Sequence, residues 1–365
     1  MENKKIAVIG TGANGSCIAA DLVRAGLDVT LVDQWPAHVE AMKRYGLTVT
    51  MPDEEFVVAV DAQHVCDLAS LNRVFDYVFI VVKAFDTRWT AELIKRYIAD
   101  DAIVVGAQNG MTADDIAEIV GPHRTIGCVV ELASEIFEPG RVKRSITHEQ
   151  AWFGLGALDH SMAPRVAEIE AILTHVGRIS RIENVRSAKW MKLIVNSMLP
   201  GSMLGLNNSE AIKIPGMRDF MLTLGEEALR AGQIQGHTIE PIFGLTREEV
   251  YGTNRLLEML LDKIVKDVGT ASIDMVRQDH MKGRYCEIDL INGNVVAESE
   301  KRGLSAPANA AVVEITRRIH AGELKPDPVN YKIAMAMVKG KGEAPVALGI
   351  GTAGQRDELP FQPRI

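Results

Sequence analysis

The sequence predicts a chain in two parts, a doubly wound α/β domain followed by a mostly α-helical one, and three observations carry that prediction. Short β-rich runs alternate with amphipathic helical stretches through the first half. Three glycines, in "GTGANG", stand where the first strand gives way to the first helix. Beyond Glu183, apolar residues recur at helical spacing with few β-branched runs between them.

In chain order, "KIAVIG" reads as a strand, followed by a helix from about Ser16 to Ala25, the strand "DVTLVD", and a helix from about Pro36 to Tyr45. "YVFIVV", "AIVVGAQ" and "TIGCVV" are further strand-length runs, separated by the helical patterns "TRWTAELIKRYI" and "TADDIAEIV". Continuous Val and Ile suit strands buried on both faces, as in a parallel sheet. In the second half, "AKWMKLIVNSML", "MRDFMLTLGEEALRAGQI", "TNRLLEMLLDKIVKDV" and "NAAVVEITRRIHAG" carry the helical period. The expected domains are 1–183, 184–321 and a Gly- and Pro-rich extension, 322–365, that reads as a poorly packed tail.

With 365 residues the chain exceeds one ordinary core, in line with two domains. Its 47% hydrophobic and 24% charged residues are those of a globular protein, and a net charge of -8 argues against nucleic acid as a partner. Cys17, Cys66, Cys128 and Cys286 are scattered, with neither CxxC pairs nor histidines at ligand spacing, so reduced thiols and no metal are expected. The first strand begins almost at once, leaving no room for a targeting segment, and the apolar runs fall far short of the roughly 20 residues that span a bilayer. The expectation is a cytoplasmic protein that acts on a small molecule, not on a membrane.

The glycine motif supplies the first chemistry. Gly10 suits a tight turn, Gly12 admits a pyrophosphate close to the backbone, and Gly15 permits helix-to-strand packing. With Ala13 and Asn14 they place the free N–H groups of a helix N-terminus where phosphates can be held. This is a Rossmann-like dinucleotide site. Asp33 ends the next strand, 23 residues after Gly10, where a carboxylate accepts hydrogen bonds from ribose hydroxyls and opposes a 2'-phosphate. Its neighbours Gln34 and Trp35 carry no cation, which favours NAD over NADP. Asp33 as a mere helix cap, or Arg24, Lys43 or Arg44 folding back onto a phosphate, would weaken that inference.

In "SAKWMKLIVNSMLPG", Lys192 and Asn196 share one helix face. Taken alone, the residues favour the solvated edge of a core helix over a cation and an amide aimed at a ligand, since helices in globular proteins usually carry a polar face. Four segments in order narrow the choice: "VVKAFDT" (81–87), "QNGM" (108–111), "KWMKLIVN" (189–196) and "EIDLINGNVV" (287–296), with "GLSAPAN" (303–309) downstream. Over about residues 5 to 320 the chain resembles the ketopantoate reductase family.

That resemblance implies a Rossmann domain plus a helical domain like the C-terminal part of 6-phosphogluconate dehydrogenase, with the active site between them. It implies hydride transfer between a nicotinamide and a 2-oxo or 2-hydroxy acid. By motif position, Lys192 corresponds to the catalytic lysine and Glu287 to the carboxylate that meets the substrate hydroxyl. Lys83 and Asn109 correspond to residues near nicotinamide and substrate, and Asn196 to a substrate-binding amide. A homodimer is implied by analogy alone. The chemistry suits these residue types, because an ammonium can stabilise and protonate the oxygen that gains charge as hydride arrives. Burial among Trp190, Leu193 and Ile194 would lower the lysine's pKa toward working pH. Lys189 reads as a surface residue, and Cys286 as packing.

The family pattern is broken in four places. A second asparagine four beyond Asn196 is replaced by Pro200; a serine shortly before the pair Gln278 and Asp279 falls at Met275; a histidine falls at Arg144; and an arginine after the second strand is Gln34. The catalytic pair is kept while groups that hold substrate and phosphate change. The expected activity is therefore that of an NAD-preferring dehydrogenase acting, in either direction, on a hydroxy acid or related secondary alcohol larger or more apolar than ketopantoate. The alternatives are a true 2-dehydropantoate 2-reductase using NADPH and a non-catalytic dinucleotide sensor. An opine-forming enzyme shares the architecture but lacks "EIDLING".

Overall fold

A computed structural model describes residues 4–268 and 273–340. The first half is a twisted sheet of eight strands in the order β12-β11-β8-β7-β6-β1-β2-β5. Its members are β1 (Lys5–Ile9), β2 (Asp28–Asp33), β5 (Asp61–His64), β6 (Phe75–Ile80), β7 (Ile98–Gly106), β8 (Thr125–Glu131), β11 (Trp152–Ala157) and β12 (Arg178–Arg181). All neighbours are parallel except β8 and β11. Helices α1 (Ala13–Arg24), α2 (Pro36–Tyr45), α3 (Thr87–Ile94), α4 (Ala113–Val120) and α5 (Val166–Leu173) connect and cover it. Ala7, Val8, Val78 and Phe79 have no exposed surface, which explains their unbroken apolar runs: both faces are covered, and each carries its own core.

A second sheet, in the order β4-β3-β10-β9, lies outside the sequence reading. It comprises β3 (Leu47–Thr50), β4 (Glu55–Val58), β9 (Ser134–Glu138) and β10 (Arg141–Arg144). These strands are short and carry charged residues, as in "SEIFEPGRVKR", so no continuous apolar run announces them. Arg144, at the end of β10, has 1% of its surface exposed and lies 2.7 Å from Asp21 Oδ2 on α1. Its guanidinium also donates to the carbonyls of Ile146 and Val176, so the buried cation is fully partnered.

Among the described residues, the regular elements of the second half are helices: α6 (Val185–Ser197), α7 (Gly201–Leu204), α8 (Asn208–Ala211), α9 (Met217–Ile234), α10 (Arg247–Tyr251), α11 (Leu256–Val268), α12 (Met275–Met281), α13 (Asn292–Glu300) and α14 (Pro307–His320). Asn184 caps α6 by accepting from the Ser187 N–H at 3.1 Å, and the helix ends before Pro200, which lacks the N–H needed to continue it. Trp190 is 2% exposed and donates its indole N–H to Ala228 O on α9 at 3.0 Å. Truncating so large a buried side chain to Ala costs about 3–5 kcal/mol.

The expected poorly packed tail is wrong for its first part. α15 (Val329–Val338) packs on α14 and α7, with Ala334 fully buried and Asn330 donating to Met203 O at 2.8 Å. The Gly and Pro content of the stretch suggested a poorly packed chain, whereas Pro328 sits at the helix start, where its fixed φ is compatible. Residues 341–365, which carry most of the Gly-rich stretch, lie outside the described residues.

Candidate active site

β1, β2, β6 and β7 run parallel, so the residues following them gather at one edge of the sheet, beside the point where the chain order reverses around β1. There a cavity of about 540 Å³ opens against the helical half. Gly10, Gly12, Ala13, Asn14, Asp33, Lys83 and Asn109 line it from the sheet side, and Glu287 from the helical side.

The glycines fit a bound dinucleotide. Gly10 has φ +88, and a Cβ there would stand 2.6 Å from Val82 Cγ1. A Cβ on Gly12 would meet nothing within 4 Å, because this residue faces the open cavity. Gly15 packs where a Cβ would overlap the Gly10 carbonyl, and so supports the turn without lining the cavity. Gly12 is the N-cap of α1 and has no side chain to cap it, so the helix N-terminus is presented to the cavity. Asp33, 8% exposed, accepts from the Trp35 N–H at 2.8 Å and from Thr11 Oγ1 at 3.3 Å, which fixes its carboxylate at the cavity wall.

Lys83 lies three residues beyond β6, at the start of a 3-10 turn (Ala84–Asp86). Its ammonium reaches Asp279 Oδ2 at 2.6 Å and Glu287 Oε2 at 3.4 Å. Burial works against the charge, but the two carboxylates prevail and hold the Lys83 pKa above its ordinary value. Glu287 Oε1 accepts from the Ala84 N–H at 2.8 Å, so this carboxylate spans the seam twice. Burial pushes the Asp279 carboxyl up, with Lys83 opposing.

Asn109 links the halves a second way. Its Oδ1 accepts from Asn196 Nδ2 at 3.0 Å, and its Nδ2 lies 3.0 Å from Met275 Sδ. Asn196 therefore meets the site through Asn109 and does not itself line the cavity. Lys192 does not line it either: its Nζ rests 4.9 Å from the centroid of the Phe243 ring. Burial lowers the Lys192 pKa, and Glu131 partly offsets this.

The expectation that Lys189 is a surface residue is overturned. It is 3% exposed and donates to Gln108 O and Cys128 O, both at 3.1 Å. A charged residue among apolar ones suggested a solvated face; instead α6 is buried nearly all round, and the ammonium satisfies the carbonyl of Gln108, just beyond β7, and that of Cys128, within β8. Burial lowers its pKa to about 8. Cys286 is buried as expected, with its thiol pushed up to about 11 by desolvation.

Lys282, Arg284 and Phe243 are missing from the sequence reading, and so is any role for Asp279. Asp279 appeared only as one of a "QD" pair, with nothing local to mark Lys83 as its partner. The Arg284 guanidinium lies 5.2 Å from the centroid of the Trp35 ring, beside the Asp33 end of the cavity. Arg24, Lys43 and Arg44, the cations considered from sequence, are occupied elsewhere: Arg24 with Glu54, Lys43 with Glu40 and Arg44 over Tyr45. Among the described residues, no group of three or more His, Cys, Asp or Glu could hold a metal, and no helix is long and apolar enough to cross a membrane.

The segments that build this site fall within the matches of two family models. "Ketopantoate reductase PanE/ApbA" matches residues 6–157, and "Ketopantoate reductase PanE/ApbA C terminal" matches residues 184–320. The chain belongs to the ketopantoate reductase family. It is 22% identical to a 2-dehydropantoate 2-reductase of Archaeoglobus fulgidus over 326 residues, covering 88% of this chain and 100% of that one. It is 28% identical to a 2-dehydropantoate 2-reductase of Mesorhizobium japonicum over 340 residues, covering 86% and 97%. A PanE/ApbA family ketopantoate reductase from Ralstonia eutropha superposes with a TM-score of 0.72 at 25% identity, covering 87% of this chain and 99% of that one. D-mandelate dehydrogenase, solved with NADH and anilino(oxo)acetate, shares the fold with a TM-score of 0.77 at 21% identity, covering 87% and 98%. As a member of this family, the chain is an NAD(P)-dependent oxidoreductase acting on a CH–OH group.

Proposed function

We propose that this enzyme interconverts a 2-oxo acid and its 2-hydroxy acid, prefers NAD, and acts on a substrate bulkier or more apolar than ketopantoate. The observation that carries this reading is the contact between Asn109 and Met275: a thioether stands at the cavity wall where the family pattern has a serine hydroxyl. A thioether accepts hydrogen bonds weakly and donates none, so it cannot hold a carboxylate, but it packs well against an apolar or aromatic group.

In this reading the turn at Gly10, Gly12, Ala13 and Asn14 holds the pyrophosphate, and Asp33 accepts from the ribose hydroxyls. When bound, the reduced nicotinamide supplies a hydride to the carbonyl carbon. Lys192 leaves the Phe243 ring, meets the carbonyl oxygen as it gains negative charge, and gives it a proton; its lowered pKa improves it as an acid near neutral pH. Glu287 accepts a hydrogen bond from the product hydroxyl. Lys83 and the Asn109–Asn196 amide pair orient the substrate without needing to exchange protons with it.

A second reading, a 2-dehydropantoate 2-reductase using NADPH, is favoured by Arg284. It brings a cation to the Asp33 end of the cavity from the helical half, where the local sequence has none. Initial rates over a panel of 2-oxo acids with aliphatic and aromatic side chains, each with NADH and NADPH, separate the two. Faster turnover of bulky substrates with NADH supports the first; ketopantoate with NADPH as the fastest pair overturns it in favour of the second.

A further inference from the structure

α12 separates two cavities. Met275, Gln278 and Asp279 face the nucleotide cavity, while Arg277 and His280 face a second one of about 590 Å³ on the opposite side. The second cavity is also lined by His320 and Ile319 from α14 and by Leu324 and Lys325 just beyond it. Among the described residues, no carboxylate lines it.

Its polar groups are not satisfied internally. Both ring nitrogens of His280 are buried and have no hydrogen-bond partner among the described residues. Native structures seldom leave such groups unpaired, since a buried polar group without a partner loses its hydration with nothing in return. Arg277 donates one N–H to Asn207 Oδ1 at 2.6 Å and keeps further donors in its planar fork. Asp274, the acid whose charge Arg277 feels, is turned to the Arg277 backbone N–H at 3.0 Å. The Lys325 ammonium is exposed and forms no ion pair among the described residues. One anchored guanidinium, one exposed ammonium and two imidazoles thus line the same cavity as the apolar side chains of Ile319 and Leu324.

We propose that this cavity is a second binding site, distinct from the nucleotide site, for an organic anion that joins a phosphate or carboxylate head to an apolar body. Arg277 and Lys325 meet the negative charge, the His280 and His320 imidazoles each donate an N–H, and Ile319 and Leu324 cover the apolar part. The cavity volume lies within the range of about 300–1,000 Å³ typical of small-molecule sites. The edge contact of the His320 ring with Tyr285, centroids 4.6 Å apart, joins this site to a residue that lines the nucleotide cavity.

The probe is phenyl phosphate, titrated by calorimetry into the full-length enzyme saturated with NADH, so that the phosphate positions of the nucleotide site are filled. The expected result is one site per chain, weakened at least tenfold by Lys325→Glu, retained in Lys325→Arg, and weaker for inorganic phosphate than for phenyl phosphate. Lys325 is on the surface and outside the nucleotide cavity, so the same variants should bind NADH unchanged, which serves as the check on folding. Absence of phenyl phosphate binding, or equal affinity in Lys325→Glu and wild type, overturns the site. Equal affinity for phenyl and inorganic phosphate overturns the assigned ligand class.

Discussion

Lys83 Nζ stands 2.6 Å from Asp279 Oδ2, two residues separated by 196 positions and joined across the seam between sheet and helices. Asp279 has only 3% of its side chain exposed, so the pair is shielded on the carboxylate side. Asp279→Asn removes that charge while keeping the shape, leaving Lys83 to Glu287 alone. The expected loss is about 1–3 kcal/mol of stability, read as a lower urea midpoint with an unchanged slope. A midpoint within error of wild type would show the contact to be energetically idle.

Lys189 and Lys83 carry opposite pH signatures. The Lys189 pKa falls to about 8, so between that value and its ordinary one near 10.4 the unfolded chain binds more protons, and stability rises with pH. The Lys83 pKa is raised; its contribution is complete below the ordinary lysine value and is lost only as pH climbs through the folded one. Lys189→Met should therefore shrink the gain in Tm between about pH 8 and 10 without abolishing it, since the Lys282 pKa is also lowered to about 8. An unaltered profile would contradict the assignment. At pH 7 the variant should be less stable, because the Gln108 and Cys128 carbonyls lose their donor.

These two lysines also show what could be read from sequence. The alternation of strands and helices and the glycine turn are local signals, so the doubly wound sheet, α1, α2 and the turn between β1 and α1 were legible. Lys189 was misjudged because a single charge in an apolar run does not reveal whether carbonyls wait at its tip. Asp279 and Arg284 were missed for a different reason: their importance arises only when α12 and the segment after it fold against β2 and β6. The second sheet was hidden by its short, charged strands. Residue types at a motif can be read directly, whereas partners supplied by the other domain cannot.

Arg144 should behave as a buried structural cation, not as a substrate ligand. Its replacement by Met leaves Asp21 buried beside only His148, at 3.0 Å. The expected cost is about 3–5 kcal/mol, seen in chemical denaturation, with KM for the nucleotide unchanged in the fraction that folds. A large KM effect without loss of stability would contradict this role.

Met275→Ser restores a hydroxyl beside Asn109. The proposed function predicts a rise in kcat/KM for ketopantoate of about tenfold, equivalent to 1.4 kcal/mol, with a fall for aromatic 2-oxo acids. A fall for both classes would mean that Met275 packs the site without selecting its substrate.

Asp33→Asn tests cofactor choice. Removing the carboxylate that opposes a 2'-phosphate should improve NADPH binding by about tenfold while weakening NADH, measured as separate Kd values by fluorescence titration. Arg284→Ala in the same assay should weaken NADPH more than NADH. Equal losses for both would assign Arg284 to a part of the cofactor that the two share.

The most direct test of the central claim, that Lys192 protonates the developing alkoxide, is the turnover of Lys192→Ala on the best 2-oxo acid, with NADH binding as the control. Loss of a positioned general acid predicts a fall in kcat of about 10²–10⁴-fold with Kd for NADH unchanged; a variant that keeps the wild-type kcat would contradict it.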